Sequence, residues 1–211
     1  MKSSSRILEL LPLALVAAWM PAAAQPPAQR ADAVPARAEV AAAGVPAERL
    51  QRPGLPRFGK VTNQLYRGGQ PDNRGFAELK ALGVRLVVNL RNEPDEIARE
   101  RTVVESLGLR YASIPWRGKE NPRIQQVAEF LDLLRANADG AAFVHCERGA
   151  ERTGVMIASY RMSAERWTAQ QALDEMDLFG FRRFGFAHLK RFVREFPTLL
   201  TRDPLLRQPG S

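Results

Sequence analysis

The chain has 211 residues, a formal net charge of +8 and one cysteine. That length suffices for one ordinary domain with a full hydrophobic core, and a single thiol excludes any disulfide within the chain. The basic residues are scattered, with no Lys/Arg block and no RNA-type aromatic motif. The charge therefore does not point to nucleic acid, and a solvated basic surface suited to anionic substrates explains it.

The first 24 residues open on Lys2 and Arg6, run apolar from about Leu10 to Trp19, and end in Ala22-Ala23-Ala24. A basic start, a short apolar core and a small-residue cleavage site read as a secretory signal peptide over residues 1–24. The alternative, an uncleaved anchor, requires a span longer than this apolar stretch. Residues 25–55 are rich in Ala and Pro and poor in large apolar side chains, which predicts a disordered linker. The folded domain is expected over residues 56–200, with a flexible tail at 201–211.

Short strands are expected near Lys60–Val61 and Leu65–Tyr66, followed by the turn-rich GGQPDN, where Gly68 and Gly69 read as suppliers of positive φ. A helix carrying Phe76, Leu79 and Leu82 on one face then ends at Gly83. RLVVNL (Arg85–Leu90) is a short, nearly continuous apolar run, as expected of a strand buried on both faces. EPDEIARERTVVESLG is helical, with Pro94 at the first turn, early acids, and Gly108 beyond its end. LRYASIP (Leu109–Pro115) alternates as a strand does. Asn121-Pro122 opens a helix with Ile124, Val127, Leu131 and Leu134 inward, and AAFVH (Ala141–His145) is the next strand. TGVMIASYRM is an apolar helix, and further helices are predicted at Thr168–Met176 and Ala187–Phe196. Strands alternating with helices predict an α/β fold, a mainly parallel central sheet with helices on both faces.

The one cysteine lies in HCERGAERTG (His145–Gly154), where a buried strand turns directly into a helix. Ligands bind at that edge of an α/β sheet, and a helix N-terminus favours an anion there. Gly149 permits a tight curl and Gly154 permits close helix packing. The backbone N–H groups from Glu147 through Arg148, Gly149, Ala150 and Glu151 to Arg152 can then converge on one tetrahedral oxyanion. Arg152 can reach back to grip two of its oxygens in a planar fork. The same positive surroundings favour the thiolate of Cys146, the form that attacks phosphorus.

HC-x5-R-[ST] followed by Gly resembles the signature of the cysteine-dependent protein tyrosine phosphatases. The resemblance extends to LYRGGQP (Leu65–Pro71), VVNLRNE (Val87–Glu93), TGVMIASYRM, and the Trp167–Met176 and Gly180-Phe181 segments, which look like compact bacterial dual-specificity phosphatases over roughly Phe58 to Phe196. Together with the signal peptide, it implies an exported, periplasmic enzyme without stable membrane insertion after cleavage. It implies Cys146 as nucleophile through a phosphocysteine intermediate and Arg152 as the phosphoryl ligand. It also implies that the Thr153 hydroxyl assists the thiolate, and that His145 orients the loop. Glu147, Arg148, Gly149, Ala150 and Glu151 would contribute backbone N–H groups. No metal or other cofactor is implied.

The family places an aspartate as general acid two to three dozen residues before the cysteine, but PWRGKENPRI (Pro115–Ile124) has only Glu120. Glu120 is thus the candidate acid, with Asp95 and Glu96 as a second possibility. Trp116 in that loop would either stack on a substrate ring or anchor the loop. The leading expectation is hydrolysis of protein phosphotyrosine, with phosphoserine or phosphothreonine as further substrates. The alternatives are an inositol-phosphate or lipid-headgroup phosphatase with the same cysteine chemistry, and a phospho-binding pseudophosphatase.

Overall fold

Runs of apolar residues four to six long become the central strands because helices cover both of their faces. In the computed structural model, which describes residues 44–206 except 183, these are β4 (Val84–Asn89) and β6 (Ala141–His145). Val87, Val88, Phe143 and Val144 within them are wholly buried. Each such side chain contributes roughly 1.5–3 kcal/mol. The signal-peptide reading and most of the predicted linker lie outside the described residues.

Among the described residues six strands form one sheet in the order β1-β2-β3-β6-β4-β5, where β1 is Glu48–Arg49, β2 Gly59–Thr62, β3 Leu65–Gly68 and β5 Arg110–Ser113. The β3-β6-β4-β5 part is parallel, and β1 and β2 extend it antiparallel. One face is covered by α1 (Asn73–Ala81) and α2 (Pro94–Ser106), which bring Phe76, Leu79 and Val104 against Val87 and Phe143. The other is covered by α3 (Ile124–Ala136), α4 (Glu151–Ala164), α5 (Ala169–Leu178) and α6 (Ala187–Arg202). The α/β expectation with helices on both faces is met.

Local chemistry sets several of these boundaries. Asp72 caps α1 by accepting from the Gly75 N–H at 2.9 Å, and Thr168 caps α5 through Gln171. Gly83 and Gly108 follow α1 and α2 at φ of 81° and 75°, as their sequence positions predict.

Three expectations are corrected. Folded structure begins before residue 56: Ala47 and Leu55 are buried, and β1 pairs with β2. This segment is held by backbone hydrogen bonds, such as Ala47 N–H to Glu175 at 2.8 Å, which apolar composition does not reveal. Gly68 and Gly69 do not adopt positive φ. They serve close approach instead: a Cβ on Gly68 would lie 2.9 Å from the Phe143 ring, and one on Gly69 3.1 Å from the Arg148 carbonyl. Finally, α6 runs through Pro197 to Arg202, and Pro204–Leu206 forms a 3-10 turn with Leu206 buried. Proline removes one helical hydrogen bond without closing the φ of a helix, and the apolar stripe continues through Leu199 and Leu200, which pack on the core.

Candidate active site at the carboxyl edge of the sheet

The parallel register puts Gly68 beside His145, His145 beside Asn89, and Asn89 beside Ser113. All four parallel strands therefore end in one row, and their following loops rise together around Cys146. This is where a doubly covered sheet presents a ligand site.

Cys146 is buried, and its Sγ accepts the Gly149 N–H at 3.2 Å. Gly149 has φ of 74°, and a Cβ there would lie 2.4 Å from the Gly68 carbonyl carbon, so only glycine fits. Ala150 returns to φ of −108°, and such alternation turns successive N–H groups to one side, as an anion cradle requires. The first turn of α4 follows at once, adding N–H groups without helical partners and the positive end of the dipole. Gly154 lets α5 close on α4, since a Cβ there would touch Met176 at 3.3 Å.

Arg152 is nearly buried. Its Nη1 donates to the Leu90 carbonyl at 3.3 Å, Asn92 Oδ1 at 3.2 Å and the Trp116 carbonyl at 3.2 Å. The guanidinium is thereby locked to the loops after β4 and β5. Glu147 Oε2 stands 3.9 Å from Nη2. Cys146 and Arg152 share a cavity of about 190 Å³ that is also lined by Asn92, Gly118, Lys119, Glu147, Arg148, Glu151, Arg182 and Phe186. Arg148 and Arg182 both pair with the buried Glu151, at 3.2 and 2.6 Å. Arg182 also lies over the Phe186 ring at 4.7 Å.

Thr153 is buried, and its hydroxyl points to the Gly68 carbonyl at a long 3.5 Å; the donor on the sulfur is Gly149. Trp116 anchors its loop, with Nε1 donating to the Glu120 carbonyl at 3.0 Å, and its ring does not line the cavity. Glu120 itself is exposed and, like Asp95 and Glu96, lies outside the cavity lining. Glu96 is committed to Arg91 and Arg99.

His145 is wholly buried and joined to Glu100 of α2, Nε2 to Oε1 at 2.8 Å. Glu100 also accepts from Gln70 Nε2 at 2.5 Å, and Gln70 Oε1 accepts from Arg91. This chain ties the strand behind the cysteine to two flanking loops, which suits an orienting role for His145. Burial pushes the Glu100 carboxyl up, but hydrogen bonds from His145 and Gln70 and the Arg91 charge outweigh it and hold it below the usual range. A carboxyl depressed on folding stabilises the protein above its unfolded value, about 4.5, and that contribution is lost as pH falls through the lower folded value. Melting curves of wild type and Glu100→Gln should therefore differ at pH 7 and converge towards pH 3. A constant gap across that range would remove Glu100 from the acid response.

Asn92, Arg182, Phe186 and the buried Arg67, Glu100 and Glu175 belong to the site or its supports but escaped sequence reasoning. One signal was available: an arginine in the strand LYRG, which the helices on both faces must bury.

Comparison with known proteins agrees with this geometry. A family model described as "DSP-PTPase phosphatase fused to NAD+ Kinase" matches residues 57–195. "Dual specificity protein phosphatase TpbA" of Pseudomonas aeruginosa is 29% identical over 122 residues, 58% of this chain and 54% of that protein. The chain thus spans about half the length of the first curated relatives it matches. "Inositol diphosphatase DSP1" of Oryza sativa subsp. japonica is 29% identical over 158 residues, 73% of this chain and 68% of that protein. The crystal structure of P. aeruginosa TpbA superposes with a TM-score of 0.61 at 25% identity, covering 74% of this chain and 97% of that one.

Proposed function

Because the chain belongs to this family of DSP-type phosphatases, we propose that it hydrolyses phosphomonoesters through a phosphocysteine, with protein phosphotyrosine as substrate. The observation that carries the reading is the shared cavity: a thiol and a locked guanidinium face the same space at a helix N-terminus. The Cys146 thiolate attacks phosphorus, the S–P bond forms, and the ester P–O bond breaks as the leaving oxygen takes a proton. Water then attacks phosphorus, the S–P bond breaks, and orthophosphate leaves with the thiolate restored. Arg152 holds two equatorial oxygens throughout. Phe186 lines the same cavity and offers a face for the substrate ring. Glu120 is the acid in this proposal, reaching the leaving oxygen once substrate closes the loop. Export to the periplasm, read from residues 1–24, belongs to the same proposal.

One observation favours a second reading, an inositol-phosphate substrate. Lys119, Arg148, Arg152 and Arg182 outnumber Glu147 and Glu151 on the lining. Against it, Arg148 and Arg182 are already neutralised in part by Glu151.

The test is a substrate panel with purified protein, beside Glu120→Gln. Phosphotyrosine peptides should exceed inositol phosphates in kcat/KM, and Glu120→Gln should lose more on phosphotyrosine, whose phenol (pKa about 10) needs a proton as it leaves, than on an aryl phosphate with a more acidic phenol. A large preference for inositol phosphates would replace the first reading with the second.

A further inference from the structure

Three successive carbonyls of the cysteine loop are gripped from outside the cavity. The Glu147 carbonyl accepts the Gln70 N–H at 3.0 Å. The Arg148 carbonyl accepts Arg57 Nη1 at 3.1 Å, and the Gly149 carbonyl accepts Arg67 Nη2 at 3.2 Å. In a trans peptide the C=O and the following N–H point in opposite directions. Pulling these carbonyls back therefore turns the N–H groups of Arg148, Gly149 and Ala150 the other way. The middle one shows the result, since the Gly149 N–H meets Cys146 Sγ.

The two arginines are unusual in their settings. Arg57 is a non-glycine residue at φ of 48°, a conformation that costs free energy and persists only where surroundings impose it. The Pro56 carbonyl just before it accepts the Gly69 N–H at 2.7 Å, which fixes this turn against the end of β3. Arg67 is wholly buried under the Phe179 ring, 4.0 Å from its centroid. Its nearest carboxylate is Glu175 Oε1, 3.8 Å from Nη1, and Glu175 is occupied by Arg161 and the Ala47 N–H. Nε and Nη1 of Arg67 have no hydrogen-bond partner among the described residues. Burial pulls the guanidinium down to about 10, so it stays charged at neutral pH, with Glu175 and Cys146 favouring the cation. A buried charge so weakly paired contributes little to stability, and an apolar side chain would fill the space at lower cost.

We propose that Arg57 and Arg67 are positioning residues that hold the cysteine loop's carbonyls outward, so that its N–H groups stand ready for a phosphoryl group before one binds. The phosphatase reading is needed only to name that group. The loop's preference for a tetrahedral oxyanion can be measured without turnover, because Cys146 is the chain's single cysteine and alkylation by iodoacetate reports on it alone.

The experiment measures iodoacetate labelling of Cys146 and its protection by inorganic phosphate in the full chain, for wild type, Arg57→Ala, Arg57→Lys and Arg67→Lys, with melting temperature recorded for each. Arg57 is exposed, so its variants test the idea even if changes at Arg67 prevent folding. Arg57→Ala should weaken phosphate protection about tenfold, the effect of losing one hydrogen bond of about 1.4 kcal/mol to an oriented group. Arg57→Lys should recover part of that loss, and a folded Arg67→Lys should show a loss at least as large. Where phosphoesters are turned over, kcat should fall more than KM rises, since the oriented N–H groups act mainly on the transition state. Protection within twofold of wild type in Arg57→Ala at unchanged melting temperature overturns the proposal, as does a wild-type thiol that phosphate does not protect. A wild type that binds phosphate but hydrolyses no phosphoester overturns the phosphatase reading and leaves this one standing.

Discussion

Cys146→Ser should lower hydrolysis of an aryl phosphate by at least ~10⁴-fold while leaving inorganic phosphate bound within a few-fold of wild type. A serine hydroxyl is nearly the size of the thiol but does not ionise near neutral pH, so the nucleophile is lost and the loop is not. The Gly149 N–H that now meets Sγ at 3.2 Å can meet the Oγ instead. Gly149 and the Arg152 clamp are untouched, because their geometry is set by the Gly68 backbone and by the loops after β4 and β5. The expected result is thus a variant that captures phosphopeptide and releases it unhydrolysed. The measurement pairs a continuous phosphate-release assay with retention of a phosphotyrosine peptide on immobilised variant. Turnover within tenfold of wild type would mean that the thiol is not the nucleophile. Loss of both turnover and phosphate binding would mean that the substitution had collapsed the loop.

The cysteine and the arginine that share the cavity were readable because they are local. HCERGAERTG carries strand end, tight turn and helix start in ten residues, and the turn forces Cys146 and Arg152 to one side. The central strands were readable for a similar reason, since helices on both faces require apolar runs such as LVV and AFV. What the sequence did not disclose is separated along the chain. Arg57 reaches the loop across 91 positions, Arg67 across 82, and Glu100 reaches His145 across 45. No periodicity links such pairs, and each becomes visible only when register brings the strand ends into one row. Gly68 and Gly69 illustrate a different failure. Glycine marks both positive φ and close approach, and only the packed neighbours, Phe143 and Arg148, distinguish the two. The Glu120 expectation is the converse case: Gly118 and Lys119 bring the Pro115–Ile124 loop to the cavity, but Trp116 anchors that loop on the Glu120 carbonyl and Glu120 is not among the lining residues.

Arg152→Lys should reduce kcat/KM by ~10²–10³-fold and, unlike Cys146→Ser, should weaken phosphate binding as well. Arg152 performs two tasks with opposite edges of one planar group. Nη1 is spent on the carbonyls of Leu90 and Trp116 and on Asn92 Oδ1, which pins the loops after β4 and β5 to the start of α4. The remaining edge, with Nη2 near Glu147, is free to present two parallel N–H groups to phosphoryl oxygens. A lysine ammonium is a point charge and supplies no second edge in a fixed plane. If it fills the loop acceptors it leaves the cavity, and if it faces the cavity it leaves three acceptors unpaired at a nearly buried position. Gly118 packs on the side-chain stem, where a Cβ would stand 3.3 Å from Arg152 Cγ, so the loop follows the arginine's shape as well as its charge. The variant should therefore melt a few degrees lower, a consequence of about 1 kcal/mol lost. Steady-state kinetics, phosphate protection of Cys146 and a melting curve together decide the matter. A loss under fivefold with unchanged phosphate protection would show that charge alone suffices at this position, and that the planar fork contributes nothing to the chemistry.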